Sequence, residues 1–123
     1  MQINESTENY LEMILILKQQ KGQVRSIDIV NELGYTKPSI SVAMKKLREN
    51  GYINVDENGY ISLEAQGYDI ASQMYDRHQT ITNLLISAGV NEETAAKDAC
   101  KIEHVISDES YQCLKSYFNQ KQN

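Results

Sequence analysis

The clearest structural signals in this sequence lie between Thr36 and Leu63, which read TKPSISVAMKKLRENGYINVDENGYISL. Its proline, Pro38, suits the first turn of a helix, where the missing N–H costs no hydrogen bond. The apolar residues that follow recur at the i, i+3, i+4 and i+7 spacing of a buried helical face: Ile40, Ala43, Met44 and Leu47. Beyond them, two alternating runs flank the connection Asp56–Gly59, whose Asn-Gly pair is a strong signal for a β-hairpin. The stretch therefore predicts a helix followed by a β-hairpin.

Two further helices are predicted upstream of this stretch. The first begins with Ser6 or Thr7 as its capping residue, and the second covers Ile27–Leu33 with Ser26 as its cap. Three helices followed by a hairpin are typical of a winged helix-turn-helix, which we place at residues 1–63.

Residues 64–123 show helical periodicity with no further strand signal. They predict three more helices: Glu64–Ser87, Glu92–Ile106 and a last one capped by Ser107. The expected fold class is mainly α with a small β-wing, in which the winged domain precedes an all-helical domain.

The composition is that of a globular protein with no membrane segment. The chain has 123 residues, 41% of them hydrophobic and 24% charged. No apolar run approaches the ~20 residues of a membrane span, and the N-terminus lacks a signal-peptide pattern. Cys100 and Cys113 lie in a helical pattern and are not expected to form a disulfide, so thiol usage predicts a cytoplasmic protein.

The charge is distributed unevenly along the chain. The net charge of −5 argues against a general nucleic-acid binder. From Lys18 to Glu49, however, seven basic residues stand against three acidic ones, whereas from Glu64 onward nine acidic residues stand against five basic ones. This uneven distribution would be explained if the basic half binds DNA phosphates and the acidic half binds a cation.

The helix that begins at Thr36 is the candidate DNA-reading element. Opposite its buried face lie Ser39, Val42 and Lys46, and hydroxyls and lysines at a helix start can bind phosphate oxygens. Val42 could contact a thymine methyl in the major groove, or it could be an ordinary surface valine. The full set of predicted contacts to double-stranded operator DNA is Ser26, Thr36, Lys37, Ser39, Ser41, Val42, Lys45 and Lys46.

A second chemical cluster lies in the acidic half. Cys100, Glu103 and His104 are spaced i, i+3 and i+4, which brings them within one turn of a helix. A thiolate, a carboxylate and an imidazole can together bind a divalent transition ion. The alternative is that Cys100 and His104 are ordinary buried residues.

Four motifs together resemble the diphtheria-toxin-repressor family of iron- and manganese-dependent repressors. They are Thr7–Glu12, Tyr75–His78, Gly89-Val90 and Cys100–Glu109. The resemblance implies a homodimer in which a divalent ion docks the first helix onto the dimerisation helices, so that the reading helices fit operator DNA. The resemblance is to the two-domain form of the family, because the chain ends before a third, SH3-like domain could start.

The resemblance also implies a set of metal ligands, namely Asn9, Glu12, His78, Cys100, Glu103 and His104. The set is a hybrid of two kinds of family member. The glutamate at Glu12 is similar to the manganese-dependent repressors, and the cysteine at Cys100 is similar to the iron-dependent ones. Cysteine is a soft ligand, and manganese prefers oxygen and nitrogen. Ferrous iron is therefore the favoured ion, with manganese as the second choice.

The dimer implied by the resemblance needs an apolar face. We expect it to include apolar positions on the fifth and fourth helices: Ile102, Val105, Ile106, Ile81, Leu84 and Leu85. Two-fold symmetry would double the DNA readout of a single winged module.

Three functions compete on these residues. The first is a metal-dependent repressor, with metal-uptake genes as its targets. The second is a winged-helix regulator that responds to an organic ligand or to oxidation of Cys100. The third, a metallohydrolase, lacks a nucleophile–base pair or a glycine-rich phosphate loop, so we do not expect an enzyme.

Overall fold

The computed structural model describes residues 1–122. Its order of elements confirms six helices with a two-stranded wing: α1 Glu5–Lys21, α2 Ser26–Leu33, α3 Lys37–Glu49, β1 Ile53–Val55, β2 Ile61–Leu63, α4 Ala65–Ser87, α5 Glu92–Val105 and α6 Asp108–Gln122. The chain forms two compact units, residues 1–73 and residues from 74 onward, and the boundary between them falls within α4.

The starts of α1 and α2 differ from the sequence prediction. Asn4, and neither Ser6 nor Thr7, caps α1, because its side chain accepts a hydrogen bond from the Thr7 N–H at 2.9 Å. Ser26 is the first residue of α2 and does not cap it. Asp28 instead accepts a bond from the Arg25 N–H at 2.8 Å, and this bond lowers the pKa of Asp28. A side chain that reaches back from inside the helix thus stabilises its start.

The predicted reading helix, α3, has the expected two faces. Thr36 caps it by accepting a bond from the Ser39 N–H at 3.3 Å. Three of the four apolar residues predicted to face the core are buried, namely Ile40, Met44 and Leu47, while Ala43 is half-buried. Burial of this stripe fixes which side of α3 remains exposed to solvent.

The wing is an antiparallel pair in which Ile53 lies opposite Leu63. Ile53 and Ile61 are buried and anchor it to the core of the first unit. The Ile61 N–H also donates to the carbonyl of Val24 at 2.7 Å. The guanidinium of Arg25 stacks 4.4 Å from the ring centroid of Tyr60. These contacts hold the wing beside the start of α2.

Gly67 is required by packing, which its helical position does not reveal. A Cβ at this residue would lie 2.1 Å from the carbonyl oxygen of Tyr52 and 3.4 Å from the side chain of Leu11. Only glycine allows the start of α4 to approach the wing so closely.

The second unit comprises the rest of α4 together with α5 and α6. Asn91 caps α5 by accepting bonds from the N–H groups of Glu93 and Thr94. Tyr111 is buried and donates a hydrogen bond to Asp76, and Lys115 pairs with the same carboxylate at 2.8 Å. These bonds join α4 to α6. Across residues 1–122, no helix combines the length and the hydrophobicity that a membrane span needs.

Candidate metal centre and nucleic-acid interface

The candidate metal centre of the second unit is built around Glu103. Its side chain on α5 is completely buried, and neither carboxylate oxygen accepts a hydrogen bond from residues 1–122. The free-energy cost of burying a carboxylate without hydrogen bonds is on the order of several kcal/mol, the desolvation penalty of an ion, unless a positive charge lies nearby. The position therefore has the chemistry of a cation ligand.

Two imidazoles face the same carboxylate. The Nδ1 atom of His78, from α4, lies 3.4 Å from Oε1 of Glu103. The Nε2 atom of His104, from α5, lies 3.9 Å from that oxygen, and its side chain is 1% exposed. Three of the residues predicted from the sequence are thus brought together. Imidazole nitrogens and a carboxylate oxygen suit a divalent transition ion.

Cys100 is placed differently from these three residues. It lies one turn earlier on α5, and its side chain is exposed. The predicted spacing on one helix is correct, but the structure does not bury the thiol beside Glu103. Its part in binding a metal stays a prediction.

The remaining predicted ligands belong to the first unit. Asn9 and Glu12 lie one turn apart on α1, where Glu12 is buried and Asn9 is half-buried. Burial of a carboxylate on an otherwise apolar helix face is unusual and calls for a partner of opposite charge. Both residues stay predicted ligands.

The exposed side of α3 carries most of the predicted DNA contacts, while Thr36 caps this helix and Ser26 begins α2. Seven of the eight predicted residues are exposed and Ser26 is half-buried, so all can be reached from solvent. Val42, with 56% of its surface exposed, is an apolar side chain on this otherwise polar face. Both interpretations of Val42 require this exposure.

A small cavity beside α3 adds a residue that the sequence analysis did not select. It has a volume of about 220 Å³ and is lined by Ser26, Ser41, Met44, Lys45, Arg48 and Val55. Two hydroxyls and two cations around one opening suit an anionic oxygen group such as a phosphate. Arg48 is spaced i+3 from Lys45 on the same helix, and this spacing was the available signal.

Two family models divide the chain between them. The model described as the N-terminal DNA-binding domain of iron-dependent repressors matches residues 2–61. The model described as their metal-binding and dimerisation domain matches residues 64–123. Together they account for nearly the whole chain.

Individual relatives agree with these matches. An uncharacterised HTH-type transcriptional regulator of Methanocaldococcus jannaschii is 32% identical over 117 residues, which are 94% of either chain. The transcriptional regulator MntR of Escherichia coli O157:H7 is also 32% identical over 117 residues, covering 95% of this chain and 75% of that protein.

Solved structures have the same fold. The crystal structure of T. acidophilum IdeR superposes with a TM-score of 0.81 at 25% identity, over 97% of this chain and 55% of that one. The structure of the manganese regulator SloR gives 0.80 at 24% identity, again over 97% and 55%. This chain thus spans about half the length of these two solved proteins.

Proposed function

The chain belongs to the diphtheria-toxin-repressor family of iron-dependent repressors, and from this premise we propose that it represses metal-uptake genes when a divalent metal ion binds. The observation that supports this proposal is the buried Glu103, whose carboxylate oxygens accept no hydrogen bond from the described part of the chain while two imidazoles face it. An ion bound here would place a positive charge beside this carboxylate. As a regulator of operators it would act in the cytoplasm.

The chain's own residues would do three things in this function. His78, Glu103 and His104 would bind the ion, and we propose Asn9, Glu12 and Cys100 as further ligands. The exposed face of α3 would contact the major groove, with Lys45, Lys46 and Arg48 near phosphates. A second copy of the chain would bind the second half-site of the operator, because each subunit of a two-fold symmetric dimer contacts one half-site.

Ferrous iron is the ion we favour, and manganese is the second choice. The three clustered ligands offer nitrogen and oxygen, which both ions accept. A thiolate from Cys100 would tilt the preference towards iron, which lies above manganese in the usual order of affinities.

Operator binding with defined metals tests the proposal. DNA sites are first selected from a random-sequence library with the full chain under anaerobic conditions in the presence of Fe²⁺ or Mn²⁺. Affinity for the selected site is then measured with each ion, with a chelator and with the ion restored. We expect the chelator to abolish specific binding and the ion to restore it. Equal affinity with and without metal would contradict the proposal.

The exposure of Cys100 favours testing one alternative, a regulator that responds to thiol oxidation. Treatment with hydrogen peroxide would then change operator affinity in metal-free protein, and Cys100→Ser would abolish that change. Oxidation that matters only when metal is present would instead be damage to a ligand, in agreement with the proposed function.

A further inference from the structure

We propose that Arg77 is a positioning residue for the metal centre, which holds the end of α5 so that Glu103 and His104 are presented beside His78. This inference rests on the proposed function, because it concerns the same site. Arg77 would act through the backbone of Glu103, to whose carbonyl oxygen it donates a hydrogen bond.

Arg77 binds the backbone at the point where the ligand helix ends. Its Nη1 donates to the carbonyl oxygen of Glu103 at 3.1 Å and to that of Ile106 at 2.9 Å. Its Nη2 lies 3.6 Å from a carboxylate oxygen of Asp108, the first residue of α6. The side chain is only 13% exposed, so its geometry is set by packing rather than by solvent.

The end of a helix has a physical need for such a partner. The last four carbonyls of an α-helix have no intrahelical N–H to accept from, and Glu103 lies within the last four residues of α5. A cation at this end is also favoured by the helix dipole. The planar guanidinium donates from Nη1 to both carbonyls while its Nη2 approaches Asp108, whereas lysine presents a single point charge.

The contact between Arg77 and Glu103 matters for the site because of where Arg77 lies in the sequence. Arg77 directly precedes His78 on α4, and the carbonyl that it binds belongs to Glu103 itself. The side chain of the residue that precedes one proposed ligand therefore binds the backbone of another, and 26 residues separate Arg77 from Glu103. The 3.4 Å approach of His78 to Glu103 depends on this link, since both side chains extend from the linked segments.

Metal affinity of the full chain tests the inference. Arg77→Met removes the donors and keeps the apolar stem, and Arg77→Lys keeps the charge but not the fork. The control is Lys115→Met, which breaks a comparable bond between α4 and α6 without touching a ligand backbone. Affinity for Mn²⁺ and Co²⁺ is measured by competition with a chelating dye. The ligand-field spectrum of bound Co²⁺ and the thermal unfolding of metal-free protein are recorded for each variant.

We expect Arg77→Met to weaken metal binding by about 10- to 100-fold, the usual effect of losing a residue that orients a ligand. Arg77→Lys should give a smaller loss with an altered Co²⁺ spectrum, and Lys115→Met should bind like the wild type. If Arg77→Met does not fold, the affinity and spectrum of Arg77→Lys decide the question in the same way.

Three outcomes would overturn the inference. Wild-type affinity and spectrum in a folded Arg77 variant would do so, and would leave the proposed function standing. Equal losses of affinity in the Arg77 and Lys115 variants, in step with their loss of thermal stability, would reduce Arg77 to a general structural role. Absence of metal binding by the wild-type chain would remove the proposed function and this inference together.

Discussion

Glu103 combines two properties that are rarely found in one residue, complete burial and a carboxylate whose oxygens accept no hydrogen bond from the residues that the structure describes. Its contacts within 4 Å include two imidazole nitrogens, at 3.4 Å and 3.9 Å from Oε1. A residue that served only to stabilise the unit would more favourably be apolar or hydrogen-bonded. The cation site that we propose at this residue would account for its presence.

The substitution Glu103→Gln should separate binding from folding. The amide keeps the shape but removes the charge, so metal-free protein should unfold at or above the wild-type temperature. The stabilisation that metal gives the wild type, about 2.7 kcal/mol at a hundred times the Kd, should be lost. Thermal unfolding with a chelator and with added Mn²⁺ measures both effects.

Glu92→Gln is the matched control, because Glu92 is an exposed carboxylate on the same helix. It should keep the full metal-dependent stabilisation. If Glu103→Gln keeps it as well, Glu103 is not a ligand.

Cys100 supports a prediction about metal preference. Cys100→Ala should weaken activation by Fe²⁺ more than activation by Mn²⁺, since only the softer ion gains from a thiolate. Operator binding is titrated with each ion under anaerobic conditions. Cys113→Ala is the control, as Cys113 is another exposed cysteine, on α6. An unchanged ranking of the two ions in Cys100→Ala would remove the argument for iron.

At the scale of elements, α3 separates stability from recognition by its two faces. Ile40, Met44 and Leu47 hold the helix in the core, so exposed residues can change without loss of the fold. Lys46→Ala should therefore weaken binding to specific and random DNA alike. It should also reduce the slope of log K against log salt by about 1, as expected for one lost phosphate contact.

Lys101→Ala provides the control for α3, because Lys101 is an exposed lysine on α5. It should leave the salt dependence unchanged. A Lys46 variant with the wild-type slope would mean that this side chain contacts no phosphate.

The stabilisation that Asp76 provides through its bonds between α4 and α6 should depend on pH. Burial opposes ionisation of Asp76, but hydrogen bonds from Lys115 and Tyr111 outweigh it and lower the pKa of this carboxyl group. Because the pKa is lowered in the folded state, the stabilisation is present above the ordinary aspartate value of about 4 and is lost as pH falls through the lowered pKa. Both partners are more than a third exposed, so the effect should stay below about 1 kcal/mol.

Chemical unfolding of metal-free wild type and Asp76→Asn at a series of pH values measures this dependence. The wild type should be the more stable near neutral pH, and the difference should shrink below about pH 4. A constant difference across the whole range would contradict the assignment of the stabilisation to the ionised carboxylate.

At the scale of the whole molecule, the elements could be predicted because periodicity and glycine stops are local signals. The caps could be predicted less well, since Asn4, Ser6 and Thr7 all favour a helix start and only the folded backbone selects Asn4. Contacts between distant residues left no local signal. The approach of Gly67 to the Tyr52 carbonyl and the bonds from Arg77 to the end of α5 are of this kind.

The candidate site, like the fold, could be predicted only in part from the sequence. The spacing of Glu103 and His104 on one helix indicated these two residues, and the resemblance to the repressor family implied His78, whereas burial and the contacts around Glu103 required coordinates. One part of the predicted dimer face was wrong. Ile81 is only 4% exposed within the single chain and belongs to its core, so it is not available to a partner.

The rest of that predicted face supports a test of the dimer. Val105, at the end of α5, has 77% of its surface exposed, and Ile102 and Ile106 beside it are half-buried. The match of residues 64–123 to a dimerisation domain makes a second copy of the chain the expected cover for this apolar surface. Val105→Asp would place a charge there, and it should weaken dimerisation by at least about tenfold, or about 1.4 kcal/mol.

Sedimentation at micromolar concentration with metal present measures this shift, with Ile27→Asp as the control. Ile27 is an exposed isoleucine of the first unit, and its change should leave the dimer intact. Weaker dimerisation should also lower operator affinity, because a single winged module reads only one half-site. A wild-type chain that sediments as a monomer, or a Val105→Asp chain that remains fully dimeric, would require another face for the partner.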